Sequence, residues 1–258
     1  RWALYMQEFI AKIITEAGAL ALMYFEKGVT SSVKSDRHDL LTEADIAVSN
    51  FLVDKIHEQF PDHHIYSEEM AVDINAGAEY EWVIDPIDGT WNFANHIPVW
   101  GILIAVVERG ETKYAAAYWP VDKHLYTAEK GKGAFLNGEP IHVSNVSEVA
   151  LAAGNVFAKL DRPHAEALAG FTTKLYLEGA RIKNYSCMYN ALLVARGVLD
   201  FNAGNGGLDY DHLAPLLICQ EAGALVTDSY GNPWKRNVYN MVIANPQIHP
   251  KIISLLKQ

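Results

Sequence analysis

Basic residues are scarce: 21 lysines and arginines stand against 31 aspartates and glutamates, a formal net charge of −10. That balance argues against broad nucleic-acid binding, because a phosphate backbone demands a concentrated basic surface. No DNA partner is expected. A small phosphate ester stays compatible, provided bound metal reverses the local field. Cysteine is rarer still. Cys187 and Cys219 lie far apart with no C-x-x-C spacing, which fits buried thiols in a reduced, cytoplasmic protein rather than a disulfide or a ligand pair. Ten histidines show no H-E-x-x-H or comparable spacing, so a zinc site is not indicated. Long apolar runs are missing too. Ala19 to Phe25 is far too short to span a bilayer, and no secretory pattern opens the chain, so no membrane partner is expected. Arg1 already falls inside a helical pattern, so residues preceding it are expected.

What is present is ample chain for a core: 258 residues, half of them hydrophobic, without repeats, low-complexity tracts or a linker. Residues 2 to 26 space Ile10, Ile13, Ile14, Ala17 and Leu20 as a helix closed by Gly28, and Thr42 precedes a second helix that ends at Phe60-Pro61. His64 to Ser67 and Trp82 to Ile84 read as strands. So do 102–107 and 114–119, as a hairpin, and about 123–127. Lys130 to Ala134 lacks the G-x-x-x-x-G-K-[ST] spacing of a phosphate cradle and reads as a turn. Beyond it, strands near 150–157, 174–178, 198–202, 225–227 and 239–244 alternate with helices near 162–172, 186–196, 211–222 and 250–257. This indicates mixed helix and sheet layers. The chain is expected to be one catalytic unit, 1–258, with internal halves of about 1–148 and 149–258.

The chemistry concentrates in Trp82 to Phe93, W-V-I-D-P-I-D-G-T-W-N-F. A buried strand delivers Asp85, Pro86 fixes one dihedral and Gly89 frees another, so the chain turns between Asp85 and Asp88. A helix start at Gly89-Thr90 would present N–H groups beside the two acids, where a divalent cation and a phosphate can sit together. Glu68-Glu69, at the end of a strand, and Asp211 add acids from elsewhere. Convergent carboxylates suit Mg²⁺, which takes oxygen ligands in octahedral geometry. Two other acidic motifs fail on spacing. A calcium hand needs acids at alternate positions and a glutamate at the twelfth. The D-x-D-G-T of aspartyl-phosphate phosphatases has one residue fewer, and in an extended strand an odd spacing reverses the face. Taken singly, Asp45 reads as an acid in a first helical turn, Asp211 as a helix N-cap with Pro215 in the first turn, and Glu69 as a support or a surface acid. Lys34 reads as a phosphate-side cation or a solvated loop lysine, and His63-His64 as a solvated pair.

Y-S-E-E, then W-V-I-D-P-I-D-G-T-W-N-F, then Y-D-H-L-A-P with Q-E-A-G-A resemble the three signatures of the inositol monophosphatase family, in order. Lys34 to Asp45 and Lys130 to Gly138 are similar to further blocks of that family. The resemblance implies a mixed α/β fold in α-β-α-β-α layers and a metal-dependent phosphomonoesterase sensitive to lithium. It implies one Mg²⁺ on Glu68, Asp85 and the carbonyl of Ile87, a second on Asp85, Asp88 and Asp211, and a weaker third near Glu68. Glu68, Thr90 and Asp45 would be catalytic, with Thr90 bonded to Asp45 and orienting the attacking water. Asp88, Asp211 and the N–H groups of Gly89 and Thr90 would contact substrate, a small phosphorylated metabolite, and the protein would be a homodimer.

Departures from the family pattern fall around the alcohol pocket. Tyr185-Ser186 stands where Gly-Ser/Thr is usual, and Gly204 stands where inositol-specific members carry a glutamate seven residues before the third-block Asp. Tyr185, Ser186 and the loop Ala203 to Asp209 are therefore candidates for specificity. Histidinol phosphate is a rival to inositol monophosphate, because P-V-W-G and Y-D are similar to that branch; sugar bisphosphates and nucleotide phosphates rank below both. A protein that keeps the fold as a non-catalytic interaction partner is the other class of reading.

Overall fold

Alternation along single strands builds the layers. In the strand Gly101–Glu108, Ile102, Ile104 and Val106 bury on one face while Leu103, Ala105 and Val107 bury on the other, so helices must cover both sides. A computed structural model describes residues 2–34, 40–158 and 162–257. Positions 35–39 of the Lys34–Asp45 block lie outside the described residues.

Helices α1 (Trp2–Lys27) and α2 (Glu43–Gln59) pack on the first face, separated by the short pair β1 (Ser31–Val33) and β2 (Leu40–Thr42). A seven-stranded sheet follows: β3 (His64–Ser67), β4 (Tyr80–Asp88), β5 (Gly101–Glu108), β6 (Glu111–Trp119), β7 (His124–Glu129), β8 (Gly133–Leu136) and β9 (Glu139–Pro140), in that spatial order. Only β3 and β4 run parallel; the remaining neighbours are antiparallel. The five-residue helix α3 (Thr90–Ala94) interrupts the sheet after β4.

The second face meets α5 (Tyr189–Ala195) and α6 (Asp209–Glu221). Their far side rests on a five-stranded sheet ordered β11 (Arg181–Ile182), β10 (Ala153–Phe157), β12 (Phe201–Asn205), β14 (Asn240–Ala244) and β13 (Leu225–Thr227). In β14, Met241 and Ile243 join the α5–α6 core, whereas Val242 and Ala244 turn to α4 (Arg162–Leu177) and α7 (His249–Lys257). The order is helix, sheet, helix, sheet, helix.

Several local expectations shift. Residues 174–177 continue α4 rather than forming a strand, because Leu168, Phe171 and Leu175 bury on one face at helical spacing. Ala203 to Asn205 belong to β12 and Asp209 opens α6, so only Gly206 to Leu208 of the expected Ala203–Asp209 loop are loop. His63-His64 is not a solvated pair. His63 stacks on Phe60 and on Tyr80, each at 4.8 Å, and accepts from Trp82 Nε1, while His64 Nε2 lies 2.8 Å from Asp73.

Candidate active site

The odd spacing of Asp85 and Asp88 is corrected by a bulge. Asp85 pairs with Leu103 and Asp88 with Gly101, so Pro86 and Ile87 together oppose Ile102. One extra residue restores the parity, and both carboxylates emerge on the Leu103 face, toward α6. Pro86, with no N–H to give the ladder, suits such a place. Ile87 turns to the opposite core, and its N–H donates to Asp85 Oδ1 at 3.0 Å.

α6 supplies Asp211 from the facing layer. One oxygen from each of Asp85, Asp88 and Asp211 lies within 4.8 Å of the others. Asp211 is not the N-cap. It is the third residue of α6, and its Oδ2 accepts from Leu208 N at 2.6 Å. Pro215 accordingly lies inside the helix rather than in its first turn, where it withholds the N–H that would have bonded the Asp211 carbonyl. Asp88 Oδ2 accepts from Met188 N at 2.9 Å, which ties the segment before α5 to the acids.

Asp45 arrives from the α1–α2 side. It is the third residue of α2, and its Oδ2 accepts from Thr42 N at 2.8 Å and from Thr42 Oγ1 at 2.5 Å, a reciprocal helix cap. Its Oδ1 lies 3.1 Å from Thr90 Oγ1, which is also 2.9 Å from the Ile87 carbonyl. One hydroxyl proton can serve only one of these acceptors at a time.

Glu68 follows β3, and its N–H donates to the Ile84 carbonyl at 3.1 Å. Its carboxylate is engaged by Lys34 Nζ at 3.0 Å, and the same ammonium lies 2.6 Å from Glu69. Lys34 thus bridges Glu68 and Glu69, and Glu69, with its side chain 9% exposed, is no surface acid.

Electrostatics sets this cluster apart. Burial, followed by the charges of Glu68, Asp88 and Asp211, holds Asp85 well above the ordinary carboxylate range. Asp88 is pushed the same way by burial and then by Asp211. Burial lifts Asp211 to about 7, against the Leu208 hydrogen bond, and Asp45 to about 6, against its bonds from Thr42. Acids so crowded call for a hard cation, and oxygen donors fit Mg²⁺. Burial, followed by the charge of Asp88, raises the neighbouring Cys187 thiol well above its ordinary range, which disfavours the thiolate a soft ligand requires.

Beside the acids, the Asn92 amide of α3 donates to the carbonyls of Val99 (2.7 Å) and Tyr185 (2.9 Å). That pins Tyr185 and Ser186 against α3; Ser186 adopts φ 59° and Tyr185 is 40% exposed. Gly89, at φ 89°, lies so close that a Cβ there would stand 3.1 Å from the Val99 carbonyl. Gly204 is tighter. A Cβ would sit 2.0 Å from the Phe157 carbonyl across the β10–β12 ladder, so the backbone leaves no room for any side chain. Gly204→Ala is expected to cost about 2–3 kcal/mol through overpacking and to lower Tm by roughly 5–10 °C. A melt within a degree of wild type would show that β10 yields freely.

Arg236 escapes a motif-based reading. Nη1 and Nη2 grip both oxygens of Glu81 at 2.6 and 2.8 Å, and Nε bonds Asp209, the first residue of α6. It fastens the Asp211 helix to β4. No spacing in the sequence links the three residues; only the two acids' need for a partner hints at it.

These features meet in one family. A sequence model described as the inositol monophosphatase family matches residues 3–258. The chain belongs to the inositol monophosphatase family. Within it, the chain is 30% identical over 253 residues to a fructose-1,6-bisphosphatase/inositol-1-monophosphatase of Thermotoga maritima, covering 97% of this chain and 95% of that protein. It is 30% identical to the Nus factor SuhB of Salmonella typhimurium, over 89% of this chain and 86% of the relative. A solved inositol monophosphatase structure from Thermotoga maritima superposes with a TM-score of 0.88 at 30% identity, over 97% and 96% of the two chains. The fold is that of the family's solved structures.

Proposed function

We propose that this protein hydrolyses a small phosphate monoester of the inositol monophosphate kind, with Mg²⁺, by direct attack of water and without a phosphoenzyme. The supporting observation is the bulge that turns Asp85 and Asp88 to one face opposite Asp211. Glu68, Asp85 and the Ile87 carbonyl would hold one ion, Asp85, Asp88 and Asp211 another, and Glu68 would adjoin a third. Bound divalent ions supply Lewis-acid polarisation of the phosphoryl group and acidify water.

The protein's own groups handle orientation and protons. Using the Ile87 carbonyl as a ligand leaves the Thr90 proton to Asp45. The Thr90 oxygen then accepts from the attacking water and aligns it with phosphorus. Asp45, raised to about 6, is matched to taking up a proton near neutral pH through that hydroxyl. The N–H groups of Gly89 and Thr90 hold phosphate oxygens, and Tyr185 and Ser186 border the alcohol. Lithium inhibition, homodimer formation and a cytoplasmic location belong to the same reading.

The decisive assay is phosphate release from inositol 1-phosphate, histidinol phosphate and p-nitrophenyl phosphate, with Mg²⁺ and with excess chelator. Turnover is expected to vanish with the metal, and no phosphorylated protein should be trapped on acid quench. Undiminished turnover in chelator would falsify the reading. A second reading is favoured by the relatives that are named Nus factors: a partner-binding protein that retains the fold.

A further inference from the structure

Cations gather away from the acid cluster. A cleft of about 290 Å³ opens between the β5–β6 turn, the loop after β7, one face of α6 and the segment 234–236. None of Glu68, Asp85, Asp88 and Asp211 lines it. Val107, on its wall, lies six residues along β5 from Gly101, the partner of Asp88, which is roughly 20 Å of strand.

The wall is cationic on a protein whose net charge is −10. Lys130, Lys235 and Arg236 line it against one acid, Glu111. That acid is shared, because Lys113 and Lys130 both bond its carboxylate, so the trio keeps a positive charge. With Lys130 and Glu111 47% and 46% exposed, their pairing is worth little in water, and an incoming anion can take the lysine. Lys235 is exposed and has no ion-pair partner among the described residues. Arg236 is committed to Glu81 and Asp209, which fixes it in the wall and leaves two lysine heads to close on a ligand. A cleft walled by one sign of charge focuses the field and draws counter-ions.

The frame is held before any ligand arrives. Gly131 N and Gly133 N each donate to the Glu221 carboxylate at 2.8 Å, which ties the turn after Lys130 to the last residue of α6. Trp234 N donates to the Val226 carbonyl at 3.2 Å, and its Nε1 to the Val238 carbonyl at 2.8 Å, which sets the segment carrying Lys235 and Arg236. Backbone fixed in advance lowers the ordering cost of binding.

We propose that this cleft is a second ligand site, for a small polyanion of the oligophosphate or polycarboxylate kind, held by Lys130 and Lys235 beside Arg236. Its volume sits at the low end for ligand cavities, which suits a compact anion. The inference goes beyond the phosphatase reading and stands without it, since binding needs neither metal nor turnover. The test titrates pyrophosphate and citrate by calorimetry into the full chain, stripped of metal and dialysed free of chelator, with sulfate at matched ionic strength as the control. At least one of the two is expected to bind once per chain and about tenfold or more tighter than sulfate. Lys130→Ala and Lys235→Ala are each expected to weaken it about tenfold, as loss of one charge-assisted bond would. Lys55→Ala, which removes the same charge from α2, is expected to leave it unchanged, and a thermal melt checks that each variant is folded. Tighter pyrophosphate assigns the site to oligophosphates, and tighter citrate to polycarboxylates. Binding of both no tighter than sulfate overturns the proposal. So does equal affinity in the two lysine variants and wild type, which places the anion elsewhere, or an equal loss in Lys55→Ala, which reduces the effect to net charge. Binding that depends on Lys130 and Lys235, with no ester hydrolysed, supports the cleft and rejects the phosphatase reading alone.

Discussion

Asp85→Asn is expected to cut Mg²⁺-dependent turnover by about 10³-fold or more, corresponding to about 4 kcal/mol of lost transition-state stabilisation. The residue sits where two demands meet. It holds the bulge through the Ile87 N–H, and it offers an oxygen to the cluster with Asp88 and Asp211. An asparagine keeps the volume and one acceptor while removing the charge a divalent ion needs. The same change should raise the stability of the metal-free protein, since it deletes a buried charge beside Glu68, Asp88 and Asp211. Activity and stability therefore move in opposite directions, which a merely unfolded variant cannot imitate. The measurement pairs phosphate release with a melt in chelator. Full activity in Asp85→Asn would remove the acid cluster from catalysis. Retained binding of a protein partner by the inactive variant would favour the reading suggested by the Nus-factor relatives.

The sequence made the acids legible but not their facing. D-P-I-D reads as two carboxylates around a turn, and three-residue spacing alone puts them on opposite faces. The missing piece is the pairing of Asp88 with Gly101, a register that depends on a strand a dozen residues away. Layering was legible because β5 is apolar on both faces, which requires cover on each side. The helix at 174–177 was not, since Lys-Leu-Tyr-Leu suits a strand until Phe171 and Leu168 are seen to share its buried face. Asp211 and Asp45 were found as acids at helix starts. Their common device, a third-position carboxylate folded back on a backbone N–H, is set by where each helix begins, and boundaries are the least readable part of a pattern. The Arg236 clamp depends on contacts between segments far apart in the chain, and no periodicity encodes it.

In the absence of divalent ions, the protein is expected to lose stability as pH rises from 5 to 8, by on the order of a few kcal/mol, and Mg²⁺ should restore it. In the unfolded chain these carboxyls ionise near pH 4. In the folded protein Asp45 is lifted to about 6 and Asp211 to about 7, with Asp85 and Asp88 also raised. Between those limits the folded state binds more protons than the unfolded one, so stability declines as pH climbs through the folded-state values. Below about pH 4 both states are protonated and the penalty disappears. A divalent ion binds the ionised forms, so its stabilisation grows where the proton's fades. At roughly 2–4 °C per kcal/mol for a chain of this class, the chelated protein should melt about 10 °C lower at pH 8 than at pH 5. Saturating Mg²⁺ should recover most of that loss at pH 8 and little at pH 5, with NaCl of matched ionic strength as the control for general charge repulsion. Asp85→Asn should flatten both dependences. Equal Mg²⁺ shifts at the two pH values, in wild type and variant alike, would mean the ion binds elsewhere than on Asp85, Asp88 and Asp211.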